Sequence, residues 1–128
     1  MTTFTGVAVR FLVQAEDGLC VTRKAVEEAL PRFFKLGGPV HFGHGRRAIG
    51  KVLSAQVTPS ALVIKFEVND PTFAAWAADG TTSALSIGFR FNRRQDVRNN
   101  VVHGCDLNEI SLTDIPGCPG CRIHFPNH

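Results

Sequence analysis

The sequence predicts a mainly β, α+β domain: six or seven strands in an antiparallel barrel or sandwich, carrying two short helices. Three observations predict this. Apolar residues alternate with polar ones in short segments, the spacing of half-buried strands. Turn signals separate those segments, at Glu16-Asp17-Gly18, Pro59-Ser60 and Pro116-Gly117. Helix-start signals mark only two stretches.

The 128 residues suit one domain spanning 1–128. A domain of that length buries roughly two-thirds of its unfolded surface, enough for a core without covalent staples. With 44% hydrophobic and 20% charged residues, the composition is that of an ordinary globular chain.

Phe4, Val7, Val9, Phe11 and Val13 alternate with polar residues and predict a strand over 4–14, imperfect near Gly6. Thr22 is an N-cap candidate for a helix to Leu30, with Val26, Ala29 and Leu30 on one stripe and Pro31 breaking or kinking it. Val40 to Phe42 predicts a short strand and 44–47 a loop. Ile49–Thr58 and Ala61–Val68 predict a hairpin around Pro59-Ser60. Asp70-Pro71 opens a second helix, because Asp accepts free N–H groups and Pro suits the first helical position. Phe73, Trp76 and Ala77 form its expected buried stripe, and Gly80 its stop. Leu85, Ile87, Phe89 and Phe91 share one face of a strand over 85–91. Residues 95–100 read as a polar turn, 101–115 as one or two strands, and 121–125 as a last short strand.

The formal charge is +3, and the pairs Arg46-Arg47 and Arg93-Arg94 are too small a basic footprint for nucleic-acid specificity. The N-terminus does not read as a secretory signal, and no apolar run approaches the ~20 residues of a membrane span. A cytosolic location without membrane attachment is the expectation.

Three polar residues carry the candidate chemistry. Ser86 lies between core-facing Leu85 and Ile87, so its hydroxyl points to the opposite face beside Gly88. A serine nucleophile needs a base within hydrogen-bond reach. His44, ending the segment Val40-His41-Phe42-Gly43-His44, is a candidate base, with His41 as its rival. Glu109 alternates with Ile110 and so faces away from the core, where a carboxylate can orient an imidazole. Each residue taken singly also reads as an ordinary solvated strand or loop residue.

Order and wording make these residues more specific together. Pro39-Val40-His41-Phe42-Gly43-His44 with Ala48-Ile49-Gly50-Lys51-Val52, then Thr82-Ser83-Ala84-Leu85-Ser86-Ile87-Gly88-Phe89, then 107–116 (LNEISLTDIP) resemble three segments of the tailed-phage prohead maturation proteases. The resemblance covers 39–123 well and the N-terminal third loosely. It departs at Gly45, where the family carries an acidic residue. The resemblance implies a serine endopeptidase on a barrel like that of herpesvirus assemblin. It implies His44 as base, Ser86 as nucleophile and Glu109 as third member, with Asp106, His103 and Asp114 as substitutes for that role. It also implies cleavage of scaffold or of the major capsid protein's scaffolding segment inside the prohead, in the host cytoplasm, and a homo-oligomer as in the herpesvirus relatives. A protease fold reused as an inactive structural protein of the particle is the alternative.

Four cysteines remain. His103-Gly104-Cys105 and Cys118-Pro119-Gly120-Cys121 offer His103, Cys105, Cys118 and Cys121 as a tetrahedral zinc set, with His124 as a rival ligand. The CxxC segment reads equally as free thiols, a redox pair or a disulfide. A small zinc-stabilised binding module is the reading that follows from the metal option. The peptidase reading needs no cofactor.

Overall fold

A computed structural model describes residues 2–15, 17–91 and 93–124. The chain is mostly β with two helices. Seven strands form one curled sheet: β1 (Thr2–Arg10), β3 (Pro39–Phe42), β4 (Ala48–Val57), β5 (Ala61–Val68), β6 (Ala84–Arg90), β9 (Asp106–Thr113) and β10 (Ile123–His124). Their order is β10-β1-β5-β4-β3-β9-β6. The short strands β2 (Cys20–Val21), β7 (Val97–Arg98) and β8 (Val101–Val102) form a second, three-stranded sheet in the order β2-β8-β7.

The sheet curls until its edges meet. Leu85 N–H donates to the Cys121 carbonyl at 2.9 Å and Ile123 N–H to the Ser83 carbonyl at 2.8 Å. An antiparallel bridge joins Ala84 to Arg122 between them. Gly6 allows this closure. A Cβ there would lie 2.7 Å from the Arg122 carbonyl oxygen and 2.8 Å from Leu85 Cδ1, so only a residue without a side chain fits.

The all-antiparallel expectation is corrected at two pairs. β3 lies parallel to β9, and β2 parallel to β8. β9 slots between β3 and β6 after a long excursion through the β4–β5 hairpin, α2 and β6, which lets the chain return in the direction of β3.

Helix α1 (Arg23–Lys35) begins at Thr22, whose hydroxyl accepts the Ala25 N–H at 3.0 Å. It runs on past the expected end at Leu30 and through Pro31, which does not end the helix. Proline forfeits one helical hydrogen bond. Phe33, wholly buried two residues further on, anchors the last turn in the core and outweighs that loss. Ala25, Val26 and Ala29 complete the buried stripe, with Leu30 only half-buried, and the helix packs chiefly on β9.

Helix α2 (Pro71–Asp79) matches its sequence signals. Asp70 Oδ1 accepts from Thr72 N and Phe73 N, and Gly80 closes the helix at φ 84°. Its buried residues are Ala74 and Ala77, not Trp76, which stays 38% exposed. Trp76 and Phe73 instead form an aromatic cluster with Phe42 of β3, the Phe42 and Phe73 rings stacked at 4.4 Å. Such pairs add roughly 0.5–1.5 kcal/mol beyond area burial. The cluster fixes the end of β3, where the candidate site begins.

The core inside the curled sheet contains Phe33, Val40, Leu62, Ile64, Phe66, Leu85, Ile110 and Leu112. Among the described residues no helix is long and apolar enough to cross a membrane.

Gly6→Ala tests the closure. The added methyl meets backbone, which cannot rotate away. Overpacking of this kind costs roughly 1–3 kcal/mol. Thermal unfolding of Gly6→Ala is expected several degrees below wild type, and an unchanged midpoint would contradict the contact.

Candidate active site

The site is built on the pairing of β6 with β9. Their register sets Ser86 opposite Ser111 and Gly88 opposite Glu109. Side chains two residues apart on a strand share a face, so Ser86, Gly88, Glu109 and Ser111 occupy one surface. Leu85, Ile110 and Leu112 lie beneath it, fully buried. Between Gly88 and Phe89 the register shifts past Asn108, which lets Leu107 and Ile110, three apart, both enter the core.

His44 arrives from β3. Phe42, Gly43, His44 and Gly45 form a tight turn, closed by Gly45 N–H donating to the Phe42 carbonyl at 2.8 Å. Both central residues have positive φ, 56° at Gly43 and 59° at His44. Glycine tolerates this at no steric cost. At a histidine it costs about 1–3 kcal/mol and needs compensation from its surroundings. Part of that comes from Ser111, whose Oγ accepts the His44 backbone N–H at 3.0 Å. His41 Nδ1 lies 2.5 Å from the Gly45 carbonyl oxygen, and that carbonyl makes the ring nitrogen a donor. His41 therefore braces the turn and does not compete for Ser86.

The polar groups form a continuous chain. Ser111 Oγ–H donates to Glu109 Oε2 at 2.6 Å. His44 Nδ1 lies 2.6 Å from Glu109 Oε1, and its Nε2 lies 3.0 Å from Ser86 Oγ. A carboxylate can only accept, so Nδ1 carries the proton. That leaves the Nε2 lone pair to accept the Ser86 hydroxyl. Ser111 thus joins the histidine's backbone to the carboxylate that holds its ring.

Burial grades across the chain. Ser111 is 0% exposed and Ser86 8%, while the side chain of Glu109 is 12% exposed and that of His44 46%. The inner groups are shielded from solvent and the imidazole meets it. Ser86 was expected on an open face. It is covered by Gly117, where a Cβ would fall 2.8 Å from the Ser86 Oγ. Among the described residues no buried side-chain nitrogen or oxygen lacks a partner. Fully satisfied networks of this kind hold a single geometry.

Ser86, His44 and Glu109 are brought together across 65 residues of chain. The named substitutes for the third position are elsewhere: Asp106 faces Arg90 at 3.7 Å, and Asp114 accepts the Thr82 hydroxyl at 2.9 Å. His103 is exposed at the start of the segment leading to β9.

Sequence reasoning missed Ser111 as part of the site. Its signal was present in Glu109-Ile110-Ser111, where period two puts both polar residues on one face. In the sequence Gly88 stands only as a neighbour of Ser86. A Cβ there would sit 1.8 Å from Glu109 Oε1, so the glycine is the space the carboxylate occupies.

The zinc set is not assembled. Among the described residues no group of three or more His, Cys, Asp or Glu is placed to hold a metal ion. Cys105 precedes β9 and Cys118 follows it. An eight-residue strand at about 3.4 Å per residue separates the two ends by roughly 24 Å. Gly117 and Cys121 bond to Leu85, which pairs with Leu112 near the end of β9, so the CxxC segment stays at that end while Cys105 and His103 lie at the start. Burial pushes the Cys105 thiol up to about 11. Burial, then the hydrogen bond with Cys118, pushes the Cys121 thiol up to about 12. At neutral pH both are protonated packing groups, not thiolate nucleophiles.

No family model and no curated protein matches the chain.

Gly88→Ala tests the geometry without an activity assay. The short contact between His44 Nδ1–H and Glu109 is expected to give a far-downfield imidazole proton in NMR spectra. Gly88→Ala should abolish that resonance, and so should Glu109→Ala, while amide spectra still report a folded sheet. A downfield proton that survives in both variants would mean that the imidazole has another partner.

Proposed function

We propose that this chain is a serine endopeptidase with Ser86 as nucleophile, His44 as general base and Glu109 as the group that orients and charges the imidazole. One observation carries the reading: the continuous contact from Ser86 Oγ to His44 Nε2 and from His44 Nδ1 to Glu109. The contacts are within the 2.6–3.2 Å reach of working nucleophile–base–orienter sets.

The chemistry is acyl transfer. As Ser86 Oγ attacks a peptide carbonyl, its proton passes to His44 Nε2. The imidazolium so formed is stabilised by Glu109 and then gives the proton to the departing amine. The acyl group stays on Ser86 until water, deprotonated by His44, attacks it. That step releases the carboxylic acid and restores the serine hydroxyl. Ser111 takes no proton in this scheme. It keeps the second carboxylate oxygen occupied, so that Oε1 alone faces the ring.

The resemblance of 39–123 to tailed-phage prohead proteases supports a more specific version. In it, the curled sheet is a herpesvirus-assemblin-like barrel, and the substrate is scaffold or the scaffolding segment of the major capsid protein. Cleavage then takes place inside the prohead, in the host cytoplasm, and the enzyme associates with copies of itself. The pairing of β6 with β9 and the turn at His44 are compatible with that assignment. The alternative is an inactive structural protein of the particle; the presence of Ser86, His44 and Glu109 together, in nucleophile–base–orienter order, favours the active reading.

Ser86→Ala should abolish cleavage of a co-expressed capsid-protein precursor, a loss of roughly 10⁴-fold or more, with the fold intact. Glu109→Gln should lose a comparable factor, because an amide can hold the ring in the wrong tautomer. Gel analysis of the precursor reads both. Normal processing by Ser86→Ala would remove the serine from the mechanism.

A further inference from the structure

We propose that the cavity beside Ser86 is a subsite for a bulky apolar side chain, leucine- or phenylalanine-like, adjoining the peptide bond that is cut. The proposal rests on the peptidase reading and names the substrate class of that same site. The cavity measures about 560 Å³, and both Ser86 and His44 form part of its wall. That volume falls within the roughly 300–1,000 Å³ of preformed binding pockets. A side chain seated there stands next to a carbonyl within reach of Ser86.

The rest of the wall comes from residues within 8–21, 87–89 and 113–118. Val13 and Leu19 belong to the connection from β1 to β2, Ile87 and Phe89 to β6, and Ile115 to the loop after β9. The sequence pattern predicts that Ile87 and Phe89 share the face of Leu85 and enter the core with it. Leu85 is wholly buried, whereas Ile87 and Phe89 are only half-buried. Their uncovered surface is turned to the cavity. Ile115 keeps 61% of its surface exposed at the rim. These apolar surfaces stay open in the free chain and are covered when a substrate side chain enters.

Charge narrows the class further. Among the described residues no lysine or arginine lines the cavity, and Asp17 is its only carboxylate. Asp17 is exposed, and its Oδ1 accepts the Leu19 N–H at 3.0 Å within its own loop. A lysine or arginine side chain pushed past it would lose water without gaining a buried counter-ion. A glutamate would be desolvated and repelled as well. An alanine would leave most of the apolar wall wet.

The test uses peptidyl phosphonates that carry a leucine-, phenylalanine-, alanine-, lysine- or glutamate-like side chain next to phosphorus. The rate of covalent labelling of the full chain is read by intact mass, with Ser86→Ala as the control. The leucine and phenylalanine probes should label Ser86 at least about tenfold faster than the alanine probe, since one methylene in an apolar pocket is worth that much. The lysine and glutamate probes should be slowest. In Leu19→Asp the lysine-to-leucine rate ratio should rise about tenfold or more. This ratio is taken within one protein, so partial unfolding does not mimic it. Ile115→Asp, at an exposed position, gives the same reading if Leu19→Asp fails to fold. Equal rates for all probes on wild type, or a faster charged probe, would overturn the subsite while leaving Ser86 as nucleophile. Absence of labelling at Ser86 by every probe would remove the peptidase reading, and the subsite with it.

Discussion

The register between β6 and β9 is the constraint on which the site depends. Ser86 meets Ser111 and Gly88 meets Glu109 only in this one alignment. A slip of β9 by one residue would turn Glu109 and Ser111 toward the core and bring Ile110 and Leu112 to the surface. The core therefore enforces the site. Leu85, Ile110 and Leu112 are each fully buried, and none can leave without exposing a large apolar side chain. Hydrophobic burial on one face of two strands sets the polar geometry on the other.

Glu109 and His44 show how that geometry is kept apart from solvent motion. The carboxylate is nearly buried, and each of its oxygens has its own partner. The imidazole is half exposed, yet its backbone and ring are held from the same direction, by Ser111 and Glu109. Holding both ends of one residue leaves little freedom for the ring to swing. The strained φ of His44 persists because the turn is fastened on several sides: the His41–Gly45 contact, the Phe42–Phe73 stack and the β3–β9 pairing.

Much of this was legible in the sequence, for reasons that are local. The β4–β5 hairpin, the Asp70 cap, the Gly80 stop and the strand around Ser86 follow from periodicity and turn chemistry over a few residues. His44, Ser86 and Glu109 were each identifiable as outward-facing or loop-borne polar groups, and the resemblance to prohead proteases ordered them as a set. What was not legible depends on tertiary contacts. Pro31 reads as a helix breaker, and only the burial of Phe33 beyond it keeps the helix going. Trp76 reads as core, and only Phe42 from a distant strand draws it into a surface cluster. Spacing alone leaves the cysteines open between a zinc set, a redox pair, a disulfide and free thiols, whereas the fold does not bring the two halves of the zinc set together. Gly88 and Gly117 look like ordinary strand and turn glycines. Their purpose appears only when the side chains they accommodate, Glu109 and Ser86, are in place.

The closure of the sheet and the support of the nucleophile turn out to be the same structure. β6 is an edge strand, and its outward backbone groups would otherwise be open to pairing with another chain. At Leu85 both are taken: its N–H donates to the Cys121 carbonyl, and its carbonyl accepts the Gly117 N–H at 3.0 Å. The segment 117–121 therefore runs along β6 immediately beside Ser86, with Gly117 against the hydroxyl. Cys118 and Cys121, buried and in contact with each other, fill the space under that segment. On this view the CxxC segment acts through packing: it seals the edge of the sheet and, in doing so, fixes the backbone of the residue that precedes the nucleophile.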